Sequence, residues 1–103
     1  MPDRIDASRH GTTIEIEMFE VDEAKRGRGQ GRRLYQQWEA ALPREIRLVK
    51  IFAADTDGSG NSDGFWAALG FEYRYDGDDL TYEAAHTMVK GVNGHRTPSP
   101  IRG

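Results

Sequence analysis

The chain contains no cysteine. Disulfides, zinc–thiolate sites and acyl-cysteine chemistry are therefore excluded. No apolar run approaches the roughly 18 residues of a membrane helix, and no signal-peptide core opens the sequence. Its three histidines, His10, His86 and His95, fall on a turn, a strand and the C-terminal stretch. No metal-ligand or triad spacing joins them, so they read as structural or exposed and no metal is expected. An excess of positive charge is also missing: Lys+Arg 14 against Asp+Glu 17 gives a net charge of −3. That balance argues against bulk nucleic-acid binding. The expectation is a cytoplasmic protein with no membrane association. At 103 residues it suits one domain with a modest core. The stretch "NGHRTPSPIRG" is rich in Pro, Gly and polar residues. It reads as a flexible tail over 93–103, leaving residues 1–92 as the folded domain.

What the sequence does have is a local concentration of cations and glycines. "KRGRGQG", residues 25–31, packs three of each into seven positions of an otherwise acidic chain. Its neighbours place it. Upstream, "TTIEIEMFEV" alternates, with Ile14, Ile16 and Met18 on one face and Glu15, Glu17, Phe19 and Val21 on the other, the period of a strand. "DRIDAS" can pair back onto it through "RHG", where Gly11 supplies the turn. Downstream, Leu34, Trp38, Ala41 and Leu42 recur at helical spacing, and Pro43 marks the stop. "IRLVKIFAA" is apolar and β-rich, as a strand buried on both faces would be. "SDGFWAALG" fits a short helix capped by Ser62 or Asp63, with Gly70 just past its end. "FEYRY" reads as a strand, "DGDD" as a turn and "AHTMVKGV" as a last strand. The order implies an α/β domain of about five strands and two helices, with a parallel central pair.

The glycines thus sit between a strand and a helix. Three readings compete: a phosphate cradle, an RNA-binding Arg/Gly patch and a solvated turn. A phosphate cradle needs free backbone N–H groups at a helix start, where the dipole favours an anion. Glycines let the phosphate approach, and Arg26, Arg28, Arg32 and Arg33 add charge. Arg/Gly patches usually sit in disordered repeats or beside stacking aromatics, whereas this one is single and wedged between ordered elements. The spacing is neither the P-loop nor the dinucleotide fingerprint. The phosphate cradle is favoured.

At this point the residues resemble a family. Arg26-Gly27-Arg28-Gly29-Gln30-Gly31 matches the R/Q-x-x-G-x-G/A signature of the GNAT (Gcn5-related) N-acetyltransferases, and "FWAALGFEY" resembles that family's F-Y-x-x-x-G-F segment. The likeness spans roughly residues 14–75, and the chain is similar to compact phage-encoded members. The family's usual first half, with its substrate-side helices, has no counterpart here. The resemblance implies a minimal mixed sheet whose central parallel strands splay to admit acetyl-CoA. It also implies transfer of acetyl to a primary amine, a protein lysine slightly favoured over a small molecule. A homodimer or the target itself would complete so small a site. The rival reading is an acyl-CoA-binding module with little or no activity that acts by docking to another protein.

The resemblance also assigns residues. Gly27, Gly29, Gln30 and Gly31, with Arg26, Arg28 and Arg32, would hold the pyrophosphate. Backbone groups around Phe19, Glu20 and Val21 would pair with the cofactor, the Phe19 amide polarising the thioester carbonyl. Phe65, Trp66 and Asn61 would line it, with Ser59 an alternative to Asn61. A lysine of pKa near 10.4 is about 0.1% neutral near pH 7.4, so removing its proton is worth roughly 4 kcal/mol. In the family a glutamate on the strand before the phosphate loop takes that proton. Glu15 or Glu17 holds the corresponding place, unless all the strand's glutamates simply face solvent. The family's thiolate-protonating tyrosine is replaced by Trp66, whose indole N–H is not an acid. Tyr73 or Tyr75 would have to substitute, or the thiolate would leave unaided.

Overall fold

The computed structural model describes residues 4–20, 29–53 and 63–102. A hairpin opens the fold: β1 (Arg4–His10) and β2 (Thr13–Glu20) are antiparallel around Gly11, whose φ of 64° needs a glycine. Helix α1 (Gln30–Ala40) leads to β3 (Leu48–Phe52), and α2 (Asp63–Ala68) to the short β4 (Glu72–Tyr73). β5 (Tyr75–Asp76), the single-turn α3 (Tyr82–Ala85), β6 (Thr87–Gly91) and β7 (Ile101–Arg102) complete the chain. The main sheet runs β1-β2-β3-β6-β4, with β5 and β7 as a separate parallel pair. The expected α/β class with a mixed five-strand sheet is observed, and β2 and β3 are its parallel pair. Two details were not anticipated. A single turn of helix precedes "AHTMVKGV" and shares only Ala85 with it, and "FEYRY" breaks at Arg74 into two short strands.

Strict alternation along β2 does not hold. Asp6 faces Met18 and Ala7 faces Ile16, so Glu17 is one residue too many, a β-bulge. The extra residue inverts the pattern beyond it. Phe19 joins Ile14 and Ile16 against the core, while Met18, expected with them, is 39% exposed. Glu15 and Glu17 are accordingly not equivalent neighbours on one face. Glu15 is half-buried beside Lys50 in the register with β3, and Glu17 lies exposed at the bulge.

Both longer helices pack on one face of the sheet, where Ile16, Val49, Ile51 and Met88 meet Tyr35, Trp66, Leu69 and Phe71. Trp66 is the hub. Its ring lies 5.0 Å from Phe19, 5.7 Å from Tyr35, 5.0 Å from Phe65 and 5.2 Å from Phe71, mostly edge-to-face. Helical spacing singled out Trp38 and Leu42, which pack at the margin, but Tyr35 is the fully buried residue of α1.

The Tyr35 hydroxyl donates to Glu39 Oε1 at 2.8 Å, and Lys90 Nζ donates to the same oxygen at 2.7 Å. Burial first, and then the Glu39 carboxylate, hold the phenol above its ordinary value of 10.0. A raised folded value contributes stability that is fully present below pH 10.0 and lost as pH climbs beyond it. Tyr35→Phe should cost about 1 kcal/mol at neutral pH. The gap to wild type should narrow above about pH 10, read from urea midpoints between about pH 8 and 11. A gap that stays constant with pH would show that the phenol proton is not held by the fold.

The C-terminal stretch expected to be a tail without a core crosses the face of the sheet away from the helices. A Cβ on Gly91 would come within 2.3 Å of the Arg96 backbone, so only glycine allows the crossing. The Gly91 amide donates to Thr97 Oγ1 at 3.0 Å, and Ile101 N donates to the Arg74 carbonyl at 2.9 Å. Asn93 Nδ2 donates to the carbonyls of Pro43 and Ile46, tying the start of this stretch to the loop before β3. The attachment of this stretch depends on partners far away in sequence.

Candidate active site

Pairing of β2 with β3 runs from Thr13–Leu48 to Ile16–Ile51 and then stops, although β2 continues to Glu20. Among the described residues, the last four positions of β2 have no strand partner on the β3 side. The bulge at Glu17 begins this divergence by turning the strand. The ring of Phe19 sits 5.5 Å from Phe65 and 5.0 Å from Trp66, so the start of α2 packs against the diverging half of β2. Among the described residues, the pairing of the two parallel strands thus ends toward their carboxyl ends, the usual ligand position of an α/β sheet.

Helix α1 starts at the same end. Gly29 is its N-cap, with φ 74° and no side-chain capping bond, and its carbonyl accepts from Arg33 N at 3.1 Å. A Cβ at Gly29 would meet nothing within 4 Å, so the space in front of the helix is open among the described residues. No acidic residue occupies the first turn, which instead holds Gln30, Gly31, Arg32 and Arg33. An anion placed here meets amide hydrogens, the positive end of the dipole and two guanidinium groups. The residues present therefore fit a pyrophosphate. Val21, Arg26, Gly27, Arg28 and Asn61, with the alternative Ser59, lie outside the described residues.

Trp66, which the sequence suggests is either a packing residue or a wall against the pantetheine, is a core side chain, 3% exposed. Tyr73, considered as the proton donor, is 42% exposed, and its hydroxyl donates to Asp63 Oδ2 at 2.5 Å. That hydrogen bond holds the phenol above its ordinary value, the wrong direction for a better acid. Tyr75 belongs to β5, half-buried and paired with Ile101. Glu20 faces Arg4 across the hairpin.

The structure also joins residues that spacing kept apart. Asp63 Oδ1 lies 3.4 Å from His86 Nδ1, and the two side chains are 15% and 17% exposed. The His86 carbonyl accepts from Ala53 N at 2.8 Å, which holds the histidine at the carboxyl end of β3. Phe52 and Tyr82 flank its ring, at 6.4 and 4.6 Å. Asp63 was read only as a cap and His86 as structural. Separated by 23 positions, they carried no spacing signal. Among the described residues, no group of three or more His, Cys, Asp or Glu is placed to hold a metal ion. None of the described helices is long and apolar enough to cross a membrane.

A mixed five-strand sheet with β2 and β3 as its parallel pair, and a glycine-capped helix α1 between them in sequence, defines an α/β domain of the acyltransferase type. The sequence model of the acetyltransferase (GNAT) family matches residues 3–71, which covers the hairpin, α1, β3 and α2. The chain belongs to the GNAT family, and its general activity is that of an acetyltransferase. No curated protein matches it.

Proposed function

We propose that the protein transfers acetyl from acetyl-CoA to a primary amine. The observation that carries this reading is the coincidence of the β2–β3 gap with the glycine-capped start of α1. Gly29, Gln30, Gly31 and Arg32 hold the pyrophosphate, joined by Arg26, Gly27 and Arg28 of the same motif. The unpaired edge of β2 around Phe19 and Glu20 offers main-chain groups to the pantetheine, the Phe19 amide facing the thioester carbonyl, and Val21 is assigned to the same role from the family resemblance alone. Fixed amides suit that task because they need no reorganisation as charge develops on oxygen. Phe65 flanks the slot from the α2 side, and the family resemblance adds Asn61 to the cofactor-binding residues. Glu15 and Glu17 add negative charge to the same half of the sheet, which favours a cationic amine. Protein lysine is a slightly better candidate acceptor than a small molecule, and a second copy or the target itself contributes to the acceptor side of the site.

Acetyl-CoA should raise the melting temperature, and Gly29→Asp should abolish the rise. The substitution places a carboxylate where the phosphate would sit and puts a side chain on a left-handed backbone. Both effects act on the cradle, whereas an uncapped end elsewhere would leave the shift intact. An equal thermal shift in wild type and Gly29→Asp would remove the cradle reading.

A further inference from the structure

We propose that His86, held through Nδ1 by Asp63, is the proton acceptor for the amine that receives the acetyl group. The inference rests on the acetyl-transfer reading and adds a catalytic residue that neither motif contains.

The carboxylate of Asp63 can only accept hydrogen bonds, so the neutral ring donates its Nδ1–H to Oδ1 and keeps Nε2 as a bare lone pair. Asp63 is itself held in place by the Tyr73 hydroxyl on its other oxygen. The groups around the ring come from four elements: Asp63 from α2, Tyr73 behind it from β4, Phe52 from β3, and Tyr82 from α3. Glu83, in the same turn as Tyr82, is exposed and accepts the His86 amide through its main-chain carbonyl. Among the described residues, no lysine or arginine is found in contact with the dyad.

Location favours this role. His86 is bonded through its main chain to Ala53, two residues beyond the point where β2 and β3 part. Asp63 lies on α2 one turn before Trp66, and the neighbouring Phe65 and Trp66 touch Phe19 on the diverging strand. The dyad therefore flanks the gap from the β3 side.

The step balances without a further reactant. Nε2 of His86 takes one proton from the ammonium form of the acceptor. The freed nitrogen attacks the thioester carbon, the C–N bond forms and the C–S bond breaks. Sulfur leaves as a thiolate and takes the second proton released from nitrogen, while His86 returns its own to water. Asp63 is a positioning residue here, and Glu15 and Glu17 act on the acceptor's charge.

His86→Gln should slow acetyl transfer by about 10²–10⁴-fold, the usual worth of a general base. The rising limb of the pH–rate profile should vanish with the imidazole. The thermal shift from acetyl-CoA should persist, because the cradle is untouched. Asp63→Asn should slow transfer less. Nitrogen chemical shifts of the protein alone should show His86 protonated on Nδ1 in wild type and redistributed in Asp63→Asn, a readout that needs no turnover. Should His86→Gln be poorly folded, His86→Asn and the Asp63→Asn comparison test the same claim. Retention of rate and limb in the histidine variants, with both lost in Glu15→Gln or Glu17→Gln, would overturn the proposal and leave acetyl transfer standing. A wild type that binds acetyl-CoA but acetylates no amine would overturn both.

Discussion

Trp66→Ala is expected to destabilise the protein by about 3–5 kcal/mol, the range for removing a large buried aromatic. The indole is 3% exposed and touches four other rings, from β2, α1, α2 itself and the start of β4. The side chain joins several elements of this core, and a domain of this size holds only about 5–15 kcal/mol in total. A urea titration should show a much lower midpoint, with the sheet and both longer helices lost together. Trp66→Phe keeps the aromatic contacts and should cost about 1.5 kcal/mol or less. It should also retain the acetyl-CoA thermal shift, because the ring faces the core. A folded Trp66→Phe that no longer responds to acetyl-CoA would assign the indole to the cofactor wall after all. A wild-type midpoint for Trp66→Ala would mean that the aromatic cluster is not what holds α1 and α2 to the sheet.

Gly91→Ala is the second substitution with a large expected effect. Its added methyl would sit 2.3 Å from the Arg96 carbonyl carbon and 2.4 Å from the carbonyl oxygens of His95 and Arg96. Main chain cannot yield as the end of a flexible side chain can, so either β6 distorts or the crossing segment lifts away. Overpacking of this kind costs about 1–3 kcal/mol. Lifting would break the bond from Gly91 N to Thr97 and separate β7 from β5. Hydrogen exchange should then accelerate over residues 95–102 while the five-strand sheet stays protected. Unchanged protection of the Ile101 amide, which bonds to Arg74, would show that the segment is held by other contacts.

The two expectations differ in what they owe to sequence. Trp66 was visible as an aromatic in a short helical segment, but its place at the centre of the core depends on Phe19. Phe19 reaches the core only because of the bulge at Glu17. Period-2 alternation assumes uninterrupted pairing, and the extra residue appears only when β1 is laid against β2. Tyr35 was missed for a related reason. Helical spacing defines a stripe, and the position along that stripe that is fully buried is set by Trp66, Phe71 and Lys90 across the interface.

By itself the sequence determined the elements whose causes are local. Gly11 turns the first hairpin, Gly29 opens α1 in the left-handed conformation, and Gly70 follows α2 with φ 100°. Each does so because the backbone conformation required there excludes most side chains. The glycine motif between a strand and a helix was enough to point to an anion-binding helix start and to the acetyltransferase family. Tertiary structure alone decided the rest: the end of β2–β3 pairing, the burial of Trp66, the crossing of Gly91 by the C-terminal segment, and the meeting of Asp63, Tyr73 and His86. Those arrangements join residues far apart in the chain, and the free energy that selects them comes from packing and hydrogen bonds that exist only once the sheet has formed.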